Sequence, residues 1–201
     1  IAKKVAEEGI TLIKNEGVLP LKKDKVKKVA MIGKLANKEN IGDHGSSWVR
    51  PPYVVTPVQG MERINPDSEV IFNDGSDLES AKKLAREADA VIFVVGYNHD
   101  DEGEFISADQ AANYTGAMGG DRKTSRGLHE DEIKLIQEVG PENPKSTVVL
   151  IGGNMIMMTE WYDCVNAVMM AYYPGMEGGT AMAEILYGDV NPSGKLPYVV
   201  P

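Results

Sequence analysis

The run Tyr97-Asn98-His99-Asp100-Asp101-Glu102-Gly103-Glu104 places four carboxylates, Asp100, Asp101, Glu102 and Glu104, within five positions. Like charges this close disfavour full ionisation, so at least one carboxyl is expected to hold its proton more tightly than usual. A carboxyl protonated near neutral pH can serve as a general acid. The same run also suits a solvated acidic loop, the ordinary fate of a charge cluster. Downstream, Gly119-Gly120-Asp121-Arg122-Lys123 offers Asp121 and Arg122 as an ion pair that would tether the far end of the segment. His99 beside these carboxylates raises the question of a metal. No His-x-x-x-His or spaced Asp pattern accompanies it, so neither a metal nor a cofactor is expected.

A second polar stretch, Gly42-Asp43-His44-Gly45-Ser46-Ser47-Trp48, brings Ser, His and Asp together in sequence. Hydrolytic triads assemble from distant segments, and no Gly-x-Ser-x-Gly elbow is present. Ser46, Ser47 and Trp48 are better read as polar and aromatic lining of a site. Tyr173-Pro174-Gly175-Met176-Glu177-Gly178-Gly179 has the strand–turn–helix order of an anion cradle. It matches neither Gly-x-Gly-x-x-Gly nor the P-loop pattern, and Glu177 would repel a phosphate, so a tight turn with close helix packing is the stronger reading. The methionines at 155, 157 and 158 and at 169 and 170 are expected to fill core gaps. Cys164 is expected to be an inert core thiol, and Trp161 to pack rather than bind.

Short apolar runs closed by glycine must position these residues. Val26–Gly33, Glu69–Gly75, Ala88–Gly96 and Ser146–Gly153 all have this form, and Val165–Tyr173 makes a fifth strand. Near-continuous apolar strands belong to a sheet covered on both faces. Between them, Leu78–Ala88, Glu130–Val139 and Gly178–Gly188 carry helical spacing, the second with acids in its first turn. Ile1–Asn15 also reads as an amphipathic helix. Strands alternating with helices imply βαβ units, and the expectation is a three-layer αβα sandwich around a mainly parallel sheet of about six strands, with one antiparallel edge. Lys34–Pro57 and Asn98–Gly127 lack periodicity, and each leaves the carboxyl edge of the sheet, where open α/β folds bind ligands.

Composition bounds the rest. The 201 residues, 42% apolar and 25% charged, suit one soluble α/β domain spanning 1–201. A formal charge of −9 argues against nucleic acid, which needs a basic face. A single cysteine can build neither a disulfide framework nor a thiolate zinc site. No membrane-spanning run and no signal peptide are seen, which favours the cytoplasm. The start at Ile1, within an amphipathic pattern and without Met, suggests a piece of a longer protein.

Several segments together are similar to one family. Glu7-Glu8-Gly9-Ile10-Thr11-Leu12-Ile13-Lys14-Asn15-Glu16-Gly17-Val18-Leu19-Pro20-Leu21, Val29–Gly33, and Gly45-Ser46-Ser47 through Thr56-Pro57 occur in order. They are followed by Ala171-Tyr172-Tyr173-Pro174-Gly175-Met176-Glu177-Gly178-Gly179 and by Gly188-Asp189-Val190-Asn191-Pro192-Ser193-Gly194-Lys195-Leu196-Pro197. This series resembles the C-terminal α/β sandwich domain of family 3 glycoside hydrolases, the β-glucosidase family, nearly end to end. The resemblance implies a retaining β-glycosidase acting on terminal β-D-glycosyl residues. Its Asp nucleophile would lie on a (β/α)8 barrel, in cis or in trans, and its acid/base Glu on a loop of this domain. Glu102-Gly103 followed by Gly120-Asp121-Arg122 matches that loop and implies Glu102 as acid/base, with Glu104 the rival because Glu-Gly-Glu allows either register. His99, Asp101, Ser46, Ser47, Trp48, Asp121 and Arg122 would line the substrate, a β-glucoside or related oligosaccharide. Without the barrel the chain alone would be inactive. A non-catalytic carbohydrate-binding or assembly module of the same fold, and a nucleotide- or anion-binding domain using the Gly175–Gly179 turn, are the alternatives.

Overall fold

The computed structural model describes residues 1–42, 44–45, 47–103 and 126–200. Its six-stranded sheet comprises β1 (Thr11–Asn15), β2 (Lys28–Ile32), β3 (Glu69–Asn73), β4 (Ala90–Gly96), β5 (Ser146–Ile151) and β6 (Ala167–Tyr172), in spatial order β1-β6-β5-β4-β2-β3. All neighbours run parallel except β1, which pairs antiparallel with β6. The helices are α1 (Ala2–Gly9), α2 (Pro57–Ile64), α3 (Leu78–Glu87), α4 (Glu130–Val139) and α5 (Gly178–Tyr187).

Every residue of β4 is buried, because helices cover both faces of the sheet. Ile92 and Val94 pack with Val149 and Ile151 beneath α1, α2 and α5. Val91, Phe93 and Val95 pack with Val148 and Leu150 beneath α3 and α4. Each such side chain contributes about 1.5–3 kcal/mol by leaving water. The strand order reverses between β2 and β4, so the crevice at their carboxyl ends is a topological switch point.

Two elements differ from the sequence reading. Ile1–Asn15 is not one helix. It turns at Ile10 into the antiparallel edge strand β1, whose Lys14 ammonium donates to the Tyr162 and Val165 carbonyls. Tertiary pairing with β6 overrides a helical spacing too short to hold alone. The segment after Thr56 is the helix α2, started by a capping box in which Thr56 Oγ1 accepts from Gln59 N–H and Gln59 Oε1 accepts from Thr56 N–H, with Pro57 in the first turn. Trp161, Met158, Met169 and Met170 are buried as expected. Cys164 is only half-buried, in a 3-10 turn that ends before β6 begins.

The α2–α5 crossing depends on bare backbone. A Cβ on Gly60 would fall inside the van der Waals envelope of the Gly179 carbonyl. Gly9, at the end of α1, has open space around it. Gly60→Ala should therefore cost about 2 kcal/mol or more. Gly9→Ala should be neutral or stabilise by about 0.5 kcal/mol. Denaturant unfolding of the two variants checks this, and equal midpoints would refute it.

Candidate active site at the carboxyl edge of the sheet

β4 ends in a residue that can only be glycine. Gly96 has φ +124, and a Cβ there would strike the carbonyl of Ile151, its partner on β5. Tyr97 N–H donates to that same carbonyl at 2.9 Å. The buried Tyr97 ring then sends its hydroxyl to the Gly127 carbonyl. The long segment that begins at Asn98 is thus closed at its neck by one tyrosine.

The neck opens into a tight turn. Asn98 carbonyl accepts from Asp101 N–H at 3.0 Å and from Glu102 N–H at 2.9 Å. Asp100 N–H donates to Asn98 Oδ1, and Asn98 N–H donates to Asp101 Oδ2. The acidic run is not a pool of charge, because its described members face different partners. Asp100 lies 3.8 Å from Lys38 Nζ and 3.3 Å from His99 Nε2. Asp101 meets His129 Nε2 at 3.2 Å. Glu102, half-buried, turns to the sheet: its Oε2 accepts from Gly153 N–H at 2.7 Å and from the Tyr173 hydroxyl at 2.6 Å. Gly153 follows β5 and Tyr173 follows β6, so the turn that leaves β4 is pinned by the ends of both.

Tyr173 is aimed by an unusual backbone. Tyr172 has φ +56, the one non-glycine with positive φ among the described residues, beside a register shift between β5 and β6 at Leu150 and Ile151. A bulky residue in this region is strained, a feature that concentrates at functional sites. Gly42 of the first loop lies against the Tyr173 ring, where a Cβ would stand 3.4 Å from it.

That loop supplies the other flank. His44 stacks on His99 with ring centroids 3.5 Å apart and on Trp48 at 4.9 Å, and the Arg50 guanidinium covers Trp48 at 4.7 Å. Trp48 remains 47% exposed even so. His99 and Trp48 are therefore joined through His44, Asp101 and Glu102 lie on the same turn as His99, and Ser47 is exposed beside Trp48. Ser46, Glu104, Asp121 and Arg122 lie outside the described residues. Among the described residues no group of three or more His, Cys, Asp or Glu is placed to hold a metal ion. No described helix is long and apolar enough to cross a membrane.

The Gly175–Gly179 turn serves packing. Cβ atoms on Gly178 and Gly179 would strike Pro174 and the Thr56 carbonyl. The helix N-terminus already holds an anion of its own, since Glu177 accepts from Thr180 Oγ1 at 2.6 Å and from Tyr53 at 2.6 Å and lies 3.5 Å from Arg63.

One carboxyl escaped the sequence reading. Glu132 in the first turn of α4 is buried beneath the switch point, its Oε1 accepting from Gly96 N–H at 3.1 Å and its Oε2 without a hydrogen-bond partner among the described residues. Burial pushes its pKa up to about 8. Three acids opening a helix read as dipole partners, and nothing in their spacing marks the one that points inward.

A six-stranded, mainly parallel sheet covered by helices on both faces, with a polar cluster on the loops that leave its carboxyl ends, defines an α/β domain. Residues 10–201 match the family model of the glycosyl hydrolase family 3 C-terminal domain, and the chain belongs to that family. It is 33% identical to the probable β-glucosidase F of Aspergillus fumigatus, covering all of this chain and 24% of that protein. It is likewise 33% identical to the thermostable β-glucosidase B of Acetivibrio thermocellus, covering all of this chain and 26% of that protein. A solved family 3 β-glucosidase of Neurospora crassa superposes with TM-score 0.78 at 30% identity, covering 99% of this chain and 25% of that one. The chain spans about a quarter of the length of these relatives.

The buried glutamate gives a pH signature. Unfolded, Glu132 loses its proton near 4.5, but folded it keeps the proton until about 8. Between these values the native state binds the extra proton, so this group makes stability fall as pH rises, by up to about 1.4 kcal/mol per unit. Glu132→Gln preserves the acceptor for Gly96 N–H and cannot ionise. Its melting temperature relative to the native protein should therefore climb steadily from pH 5 to pH 8. A difference that stays constant across that range would show that Glu132 is not buried as a neutral acid.

Proposed function

We propose that this chain is the acid/base-bearing domain of a retaining β-glycosidase of β-glucosidase type. Glu102 is the general acid and base, and a family 3 (β/α)8 barrel, in cis or in trans, carries the Asp nucleophile. The observation that carries the proposal is the setting of Glu102: a half-buried carboxyl on a loop at the carboxyl edge, fixed by Gly153 N–H and the Tyr173 hydroxyl. The full-length relatives named as β-glucosidases support the substrate class.

In the first step the barrel's aspartate bonds to the anomeric carbon as Glu102 gives its proton to the departing glycosidic oxygen. In the second, the ionised Glu102 takes a proton from water as that water displaces the enzyme ester. Neither step proceeds with one carboxyl alone, so the chain without its barrel is inert. The His99–His44–Trp48 stack lies on the same loops and offers apolar faces to the departing sugar or aglycone, with Asp101 holding the turn. Ser46, Ser47, Asp121 and Arg122 complete the lining in this reading, and Glu104 is the rival for the acid/base role.

The test uses the enzyme with its barrel. Glu102→Gln should lower kcat/KM on an alkyl β-glucoside, whose leaving group needs protonation, by about 10²–10⁴-fold. On 2,4-dinitrophenyl β-glucoside, whose leaving group departs as an anion, the glycosylation step should be largely spared. Azide should accelerate turnover of Glu102→Ala by replacing the base-activated water, and should leave Glu104→Ala unaffected. Full activity of Glu102→Gln on the alkyl glucoside would end the proposal, and azide rescue of the Glu104 variant instead would move the role there.

A further inference from the structure

Four elements grip the two residues from which the Asn98–Glu102 turn departs. Gly96 N–H donates to Glu132 Oε1 at 3.1 Å, and Tyr97 N–H donates to the Ile151 carbonyl at 2.9 Å. The Tyr97 carbonyl accepts from Asn40 Nδ2 at 2.9 Å, and the Tyr97 hydroxyl donates to the Gly127 carbonyl. The neck is thus held from α4, from β5, from the first loop and from the far end of the long segment. Glu132 is the one carboxyl among these partners.

The helix α4 is a firm base for that grip. Leu135, Ile136 and Val139 are buried against the sheet, while the first turn sends three side chains to three separate places. Asp131 pairs with Lys34 beyond β2 at 2.6 Å, His129 meets Asp101 within the turn at 3.2 Å, and Glu132 takes the end of β4. The first two pairs touch solvent and are worth little there. Glu132 is 6% exposed, so losing its bond would leave the Gly96 N–H without water to replace it.

We infer that Glu132 is a positioning residue for Glu102, holding the neck of the turn through Gly96, and that opening of this neck releases a proton from the Glu132 carboxyl. The positioning role rests on the acid/base reading of Glu102, and the proton-linked opening does not. In the closed neck Oε2 has no hydrogen-bond partner among the described residues, so an ionised carboxylate would carry charge on an oxygen left poorly solvated. Cavities of about 340 Å³ lie on either side of the Lys34–Asp131 pair, and both reach Glu132. On one side stand Lys34, Lys134 and Asp74. On the other stand Lys38, Asp100, Asp101 and His129. Lys34 and the backbone N–H groups of Gly96 and His129 favour the ion and Asp131 opposes it, but burial outweighs them and raises the pKa to about 8. Opening lets solvent reach the carboxyl. The O–H bond then breaks, the proton passes to water and the carboxylate keeps the electron pair. Between the open value near 4.5 and the closed value near 8, the closed neck holds the extra proton. Opening therefore becomes about tenfold easier for each pH unit in that window and gains nothing further above it.

The test uses the enzyme with its barrel. Hydrogen exchange of the Gly96–Glu102 segment, divided by the intrinsic rate at each pH, should rise about tenfold per unit from about pH 5 to pH 8 and then level off. Glu132→Gln keeps an acceptor and cannot ionise, so its corrected exchange should not change with pH. The same slope in both proteins, or no slope in the native one, would overturn the proton-linked opening. So would exchange no faster than that of β6, because the neck would then open only with the whole domain. Glu132→Met fills a similar space without a strong acceptor. It should lower kcat on an alkyl β-glucoside about tenfold at pH 6 with KM little changed, whereas Glu132→Gln should keep kcat within about twofold of native. Equal kcat in all three proteins, or a Gln variant as slow as the Met variant, would overturn the positioning role. Full activity of Glu102→Gln would instead overturn the acid/base reading, and the exchange result would stand without it.

Discussion

The geometry of the site depends on the approach of Gly96 to the Ile151 carbonyl at the end of the β4–β5 ladder. No side chain fits there, and only glycine takes the required φ without strain. Because the strands converge so tightly, Tyr97 can extend the ladder by one more hydrogen bond to Ile151. That bond places its ring in the core and its hydroxyl on Gly127. The turn that carries Glu102 begins at the next residue. Its two anchors stand just beyond the ends of β5 and β6, next to the same β4–β5 junction that excludes a side chain from Gly96. Glu132 completes the junction from below by accepting the Gly96 N–H, which would otherwise end the strand unpaired in the core.

A cluster of like charges usually implies repulsion shared among its members. Here the fold separates them. Asp100 faces Lys38 and His99, Asp101 closes the turn on Asn98 and meets His129, and Glu102 reaches the strand ends. Each described carboxylate thus has its own set of partners. Adjacent residues in a tight turn diverge in direction, so density in sequence need not mean density in space.

Much of this architecture is legible in the sequence, for reasons that also explain the gaps. Apolar runs closed by glycine mark the parallel strands, because a strand covered on both faces must be apolar throughout and its turn at the carboxyl edge needs unusual φ. Leu78–Glu87 and Glu130–Val139 follow from helical spacing. The change from α1 to β1 is not written in that way, since Thr11–Asn15 continues the preceding apolar spacing and becomes a strand only by pairing with β6. The helix α2 was legible in principle, because Thr56-Pro57-Val58-Gln59 spells a capping box. Glu102 stands out as a carboxyl on a long loop at the right edge. Tyr173 does not, because a tyrosine after a run of Met, Ala and Tyr looks like core, and only the left-handed turn at Tyr172 reveals where its hydroxyl goes. Glu132 is concealed for the opposite reason, as its type and place suit an exposed helix start.

The glycine-rich turn before α5 shows how similar spellings separate by packing. A helix N-terminus preceded by glycines can bind an anion when its N–H groups stay open. Here Glu177 supplies the negative charge from within the chain, bonded to Thr180 and Tyr53 and close to Arg63, so an external anion would meet a carboxylate rather than free donors. Gly178 and Gly179 are committed to contacts with Pro174 and Thr56. The Tyr53–Glu177 bond also ties the first loop to this turn, downstream of Trp48, while Gly42 fixes its upstream end on Tyr173. Between these contacts lies the His44–Trp48 stack against His99. A glycosidase needs such preorganisation beside its acid, because an aglycone must be oriented before its oxygen can receive a proton. The turn that resembles a phosphate cradle thus acts as a fastening for the flank of the site at Glu102.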